Sequence, residues 1–197
     1  SNVIYGGWQG VYKSTDLGAS WTKLSGNTIT AKLSVLAVAP SNPQYIYAST
    51  GPVLYVTTDG GTNWTTYSLT SINISSITVH PTIPTKIWIT NTNSASPVLV
   101  STNAGSSFTN FSNGLPTMAA RSIAIDDTPE GGLYVAMNIG VYYINTKMSS
   151  WLNLTKNLPL VAINDIELQK LTRKIRIATY GRGVWEGAMF NACGTPG

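Results

Sequence analysis

Charge is what this 197-residue chain has least of: 12 Lys and Arg, 8 Asp and Glu and one His leave it 10% charged, where soluble domains ordinarily carry about 25%. A nucleic-acid surface needs a basic stripe, with aromatics interleaved where bases are stacked. The one local basic cluster, Lys170, Arg173, Lys174 and Arg176, brackets a turn and the strand after it, so no nucleic-acid partner is expected. The single histidine, His80, has no companions for a metal site or a triad, and no cofactor is expected. Cys193 is the only cysteine, which excludes a disulfide within the chain; it is free or paired outside these residues. No apolar run approaches the roughly 18 residues that span a bilayer, and no charged segment followed by an apolar one opens the chain. Membrane insertion is not expected. The start, Ser1-Asn2-Val3, lacks methionine, as expected of a chain that is processed, cut from a longer protein or carries a cloning scar. No stretch holds a helical period, and almost no helix is expected.

What is present in quantity is repetition. Ser14-Thr15-Asp16-Leu17-Gly18-Ala19-Ser20-Trp21 returns 43 residues later as Thr57-Thr58-Asp59-Gly60-Gly61-Thr62-Asn63-Trp64. It returns again as Ser101-Thr102-Asn103-Ala104-Gly105-Ser106-Ser107-Phe108, and in worn form as Ile144 to Trp151. A fixed period in the range of about 20 to 50 residues means one supersecondary unit stacked several times. Upstream of each box lie two columns rich in β-branched and aromatic residues, read as strands. One holds Tyr45–Thr50, Lys86–Asn91, Gly132–Met137 and Lys174–Thr179; the other holds Val35–Val38, Ile77–Val79, Ile123–Ile125 and Ile166–Leu168. Each unit thus reads as four antiparallel strands a, b, c and d with the octapeptide at the c–d turn, the pattern of a propeller blade.

The predicted fold is an all-β propeller of four-stranded blades of about 43 residues. The division is a partial blade over 1–33, blades over 34–75, 76–119 and 120–161, a partial terminal blade over 162–190, and a tail or linker over 191–197. The first partial blade holds strands b, c and d; the last holds a, b and c. Both carry b and c, so they overlap instead of completing one another. An incomplete ring is expected, the C-terminal portion of a larger propeller.

The pattern Ser/Thr-x-Asp-x-Gly-x-x-Trp resembles the Asp-box, or bacterial neuraminidase repeat. Its residues are Ser14, Asp16, Gly18 and Trp21; Thr57, Asp59, Gly61 and Trp64; Ser101, Asn103, Gly105 and Phe108; and Trp151. The reading is structural: the Asp accepts backbone N–H bonds in its turn, the Gly takes positive φ, and the Trp packs across the hairpin. Asn103 can cap a turn but cannot transfer a proton, so the boxes are not a row of catalytic acids. The resemblance places them away from the ligand face. The segments 39–47 and 80–88, and the ending Ala178 to Glu186, resemble sortilin-type and xyloglucan-hydrolase-type propellers. The Tyr180-Gly181-Arg182-Gly183-Val184-Trp185 phrase is similar to the last blade of large secreted proteins of the Bacteroidota. That likeness implies an extracellular or cell-surface location.

Boxed sialidases use an arginine triad, a Tyr nucleophile and an acid. Here Arg121, Arg173, Arg176 and Arg182 are the only arginines and no Arg-Ile-Pro signature precedes a box, so sialidase activity is not expected. A glycosidase needs two carboxyl groups flanking the scissile bond. Asp126, Asp127 and Glu130 fall in an a–b turn, on the side of the boxes; Asp165 is the one weak catalytic candidate and lacks a partner. A binding module would instead use the b–c and d–a loops. The b–c candidates are Trp8 and Gln9, Asn91 and Asn93, Asn138, and Tyr180 and Arg182: aromatic platforms with amide and guanidinium donors, suited to a sugar or peptide. The expected partners are a glycan or protein ligand, with self-association or the remaining blades of the parent protein covering exposed strands. The sequons at Asn63, Asn73, Asn110 and Asn153 are no more than this composition supplies by chance.

Overall fold

The structure, a computed structural model, describes residues 2–93, 95–155, 158 and 160–190. Cys193 and the tail over 191–197 lie outside the described residues. Eighteen strands and no helix are found among them. They form five antiparallel sheets, each a meander in chain order. The first sheet holds β1 (Ile4–Trp8), β2 (Gly10–Ser14) and β3 (Thr22–Lys23). The second holds β4 (Val35–Val38), β5 (Ile46–Ser49), β6 (Val53–Thr57) and β7 (Thr65–Ser68). The third holds β8 (Ile74–Val79), β9 (Ile87–Asn91), β10 (Val98–Ser101) and β11 (Thr109–Asn110). The fourth holds β12 (Ala120–Ile125), β13 (Leu133–Met137), β14 (Val141–Ile144) and β15 (Leu152–Asn153); the fifth holds β16 (Ile163–Gln169), β17 (Lys174–Thr179) and β18 (Val184–Ala188). The three middle sheets have four strands, the first lacks strand a and the last lacks strand d, as the periodicity predicts.

The chain divides into two compact units, 1–89 with 100–109 and 90–99 with 110–197. In the first unit Val11, Ile29, Leu33, Ile46 and Ala48 form a buried cluster, backed by Leu36, Val38 and Trp64. In the second, Ile163, Ile166, Ile175 and Ile177 pack with Tyr134, Val141 and Tyr143. Fully burying one such Ile or Val contributes on the order of 2 kcal/mol.

The b strands of the three middle sheets run without alternation. Every residue of β5, β9 and β13 is buried, so both faces of these strands are covered and alternation is lost. The second position of each carries a large aromatic: Tyr47, Trp88 and Tyr134. In the first unit the Tyr47 hydroxyl donates to the Pro84 carbonyl of the next a–b turn at 2.6 Å. In the second, the Tyr134 hydroxyl accepts the Phe190 N–H at 2.7 Å. Burial pushes the pKa of both phenols well above the ordinary tyrosine value, so both stay protonated. In the fifth sheet the residue that the repeat aligns with these is Arg176, the third of β17, exposed and bonded to Glu186, and β17 alternates exposed with buried in its first four residues.

Candidate functional site

The three clear boxes share one hydrogen-bond scheme, which starts from a hydroxyl closing strand c. Ser14, Thr57 and Ser101 each donate to the following Asp16, Asp59 or Asn103 (2.7, 2.8 and 2.9 Å) and accept the N–H of Gly18, Gly61 or Gly105. The Asp or Asn oxygen in turn accepts the N–H four residues on, from Ser20, Asn63 or Ser107. The three glycines have φ of 96°, 101° and 85°. At Gly61 a Cβ would also lie 2.7 Å from the Leu24 Cβ, so a side chain is excluded twice. The carboxylates are lowered to about 2, Asp16 chiefly by the Ser20 and Ser14 hydroxyls and Asp59 chiefly by the Asn63 N–H and amide. They are acceptors for the donors of their own turns.

Two features of the boxes have no signal in the octapeptide read alone. First, the residue after the Asp position is itself left-handed, Leu17 at 59°, Gly60 at 75° and Ala104 at 57°, and its N–H bonds the chain just before strand b: Asn2, Gln44 and Thr85 carbonyls. Second, the indole reaches beyond its own hairpin. Trp64 Nε1 donates to Gly61 and to Leu24, 40 residues upstream, and Trp151 Nε1 donates to Phe111, again 40 upstream. The fourth box is displaced: Thr146, aligned with the aspartates, gives its N–H and hydroxyl to Glu130, while Asn145 takes the turn's Lys147 N–H.

The predicted ligand residues fall at the b–c ends, as a meander requires. Trp8, 58% exposed, closes β1, with the Lys32 ammonium 4.9 Å from its ring centroid, and Gln9 is exposed in the turn beside it. Asn91 is buried and does scaffold work: its Oδ1 accepts the Asn93 N–H and its amide donates to Ser96, while Asn93 Oδ1 accepts from Ala95. Asn138 Oδ1 accepts from Arg121 Nε at 2.8 Å. Tyr180, 74% exposed, and Arg182 stand in the β17–β18 turn, where the Arg182 carbonyl accepts the Trp185 indole N–H. Asp165 accepts the Ser122 hydroxyl at 2.8 Å and the Ile166 N–H.

In the second unit the loop folded by Asn91 and Asn93 forms one wall of a cleft of about 350 Å³. Ala95 and Pro97 face Asn110, Ser112, Asn113, Leu115 and Thr117 across it. No ionisable side chain is found among its described lining residues. The far wall is the d–a loop, and the fourth box holds that loop: Trp151 donates from its indole to Phe111 and from its N–H to Asn113, and the Asn113 amide donates to Ser149. The fourth box and the d–a loop are thus hydrogen-bonded to one another. The sequence reading missed Asn110, Ser112, Asn113 and Thr117, because nothing local distinguishes them from ordinary loop residues.

His80 is a turn residue whose Nδ1 accepts the Thr82 and Ile83 N–H groups; burial, then the Lys86 charge, lowers its pKa and keeps it neutral. Among the described residues no three His, Cys, Asp or Glu side chains converge as a metal site would need, and no helix is long and apolar enough to cross a membrane.

Solved structures of low identity share this fold. The chain superposes on a GH74 enzyme of Niastella koreensis at 23% identity and TM-score 0.72, covering 95% of this chain and 28% of that one. It superposes on the β-propeller domain of Myceliophteria thermophila Cps50 (Swd1) at 11% identity and TM-score 0.76, covering 98% and 64%. The extracellular domain of the BT4673 one component system of B. thetaiotaomicron gives 14% and 0.64, covering 94% and 25%. The fold is a β-propeller, and the chain spans about a quarter to two thirds of these proteins. No curated protein matches it. Residues 9–138, well over half of the chain, match the family described as Sortilin, neurotensin receptor 3, and the chain therefore belongs to the Sortilin-Vps10 family.

Proposed function

We propose that this chain is a non-catalytic propeller segment of a secreted or cell-surface protein, and that its b–c and d–a loops bind a neutral glycan. The observation that carries the reading is the lining of the 95–117 cleft: amides, hydroxyls, two prolines and a leucine, without a charge. Sugars present alternating hydroxyls and C–H faces, which such a surface matches. Cleavage of a glycosidic bond calls for a pair of carboxyl groups, and Asp165, the weak candidate, has Ser122 and its own chain as partners. Similarity to an extracellular domain and the low surface charge support the location. The blade divisions 34–75, 76–119 and 120–161 belong to the same reading.

Titration of the chain with neutral oligosaccharides on a glycan array and by calorimetry tests this. Binding without sugar release is expected, weakened about tenfold by Asn110→Ala with Thr117→Ala, the loss of one or two hydrogen bonds. The likeness to a glycoside hydrolase favours a second reading, in which this segment belongs to a polysaccharide-cleaving propeller with Asp165 as one acid and the catalytic acids partly outside residues 1–197. Release of reducing ends by the chain, abolished by Asp165→Asn, would sink the first reading and support the second.

A further inference from the structure

Asn113 is the only asparagine of the chain followed by glycine, and it lies where the fourth box grips the d–a loop. Leu115 gives its N–H to the Ser112 carbonyl at 2.9 Å, and with Gly114 at φ 89° and Asn113 at negative φ the corners form a type II turn. Both corner residues are exposed. The box turn holds them from one side: the Asn113 amide donates to the Ser149 carbonyl at 2.9 Å, and the Asn113 carbonyl accepts the Trp151 N–H at 3.0 Å. The Gly114 backbone is so close to that turn that a Cβ on it would stand 3.0 Å from the Ser150 Cβ and 3.1 Å from the Trp151 nitrogen. Among the described residues the Gly114 N–H has no hydrogen-bond partner.

We propose that Asn113 is a site of spontaneous deamidation, which releases the fourth box from the d–a loop. Asparagine is chemically labile, and glycine has no side chain to crowd the approach of its own nitrogen to the preceding Cγ. The Gly114 nitrogen, its proton taken by hydroxide, bonds to the Asn113 Cγ; the bond from Cγ to the amide nitrogen breaks, and ammonia leaves with a proton from water. Water then opens the cyclic imide. Breaking the new bond to Cγ gives aspartate, and breaking the bond to the main-chain carbon gives isoaspartate, whose backbone is longer by a methylene. The balance is water consumed and ammonia released, with no oxidant or cofactor.

Ring closure turns the Asn113 carbonyl off the Trp151 N–H and takes the amide off the Ser149 carbonyl, so the reaction proceeds from states in which this latch has opened locally. Neither product restores it. Aspartate sets an acceptor against the Ser149 carbonyl, which then lacks its donor. The added methylene of isoaspartate has no room where Gly114 abuts Ser150 and Trp151. Either product also brings a negative charge to the cleft lining. Weakened ligand binding rests on the glycan reading above; the conversion and the unlatching do not.

Incubation of the full chain at mildly alkaline pH in isotopically labelled water, followed by peptide mapping and enzymatic methylation of isoaspartate, tests the site. Conversion is expected at Asn113 ahead of every other asparagine, to a mixture of aspartate and isoaspartate carrying the label, and more slowly than in chain unfolded by urea. In the aged chain the Trp151 amide should exchange about tenfold faster than in the fresh one, the loss of about one hydrogen bond. Asn113→Asp should show the same loosening without ageing, and Asn113→Gln, whose longer side chain closes a larger and slower ring, should keep its amide. Should Asn113→Asp fail to fold, fresh and aged wild type carry the comparison. Asn113 intact while other asparagines of the folded chain convert, a folded rate equal to the unfolded one, or conversion that leaves the Trp151 amide as protected as before overturns the proposal. Conversion and loosening in a chain without affinity for oligosaccharides would uphold it and remove the glycan reading.

Discussion

At the residue scale, the structure separates acceptor from acid. Asp59 accepts two hydrogen bonds from Asn63 and one from Thr57, and in the third box Asn103 fills the same place with an amide oxygen. Asp59→Asn should therefore melt close to the wild type, while Asp59→Ala, which orphans the Asn63 N–H, should melt lower by differential scanning calorimetry. The pH dependence has a definite sign. Asp16 and Asp59 are held at about 2 against an ordinary 3.8, so the folded chain binds fewer protons than the unfolded one in that window. Their contribution is complete above the ordinary value and is lost as pH falls through about 2. Unfolding midpoints followed from pH 5 to pH 2 should fall for the wild type and fall less for the Asp16→Asn, Asp59→Asn double variant. Gly132 is constrained differently. Its N–H donates to the buried Asp126, and a Cβ there would meet the second Asp126 oxygen and lie 2.7 Å from the Tyr143 hydroxyl. Gly132→Ala should cost about 1–3 kcal/mol in denaturant unfolding, the range for overpacking a closed site.

At the scale of the element, the c–d turn is more than a hairpin closure. Each clear box ties itself to the chain before its own strand b, and in the second and fourth sheets its indole ties back 40 residues. Trp151 makes this plain: 5% exposed, edge-on to Phe111 at 6.0 Å, with its N–H on the Phe111 carbonyl at 2.7 Å. Trp151→Phe keeps the ring and removes the donor, so a loss of about 1–3 kcal/mol is expected from the unmet carbonyl. If the box positions the d–a loop, the same variant should also weaken glycan binding, and an equal affinity would separate stability from the site. The period announced these turns and their glycines, because the left-handed φ and the capping hydroxyl are local demands written at fixed positions. The indole's upstream acceptor is a main-chain carbonyl, and main-chain atoms leave no mark on residue identity. The displaced fourth box shows the limit of gapless alignment: hydrogen bonds chose Asn145 where counting chose Thr146.

At the scale of the whole molecule, strand count, antiparallel order and the shortened first and last sheets were all legible, since each follows from one repeat read several times. What the sequence by itself determined is the unit: hydrophobic alternation, turn chemistry and period are properties of neighbouring residues. Only the tertiary structure decided that Asn91 and Asn93 brace a loop while Asn110 and Thr117 line a cleft. Those outcomes depend on which backbone groups find partners tens of residues away, and one chain of letters records the residues but not the pairings.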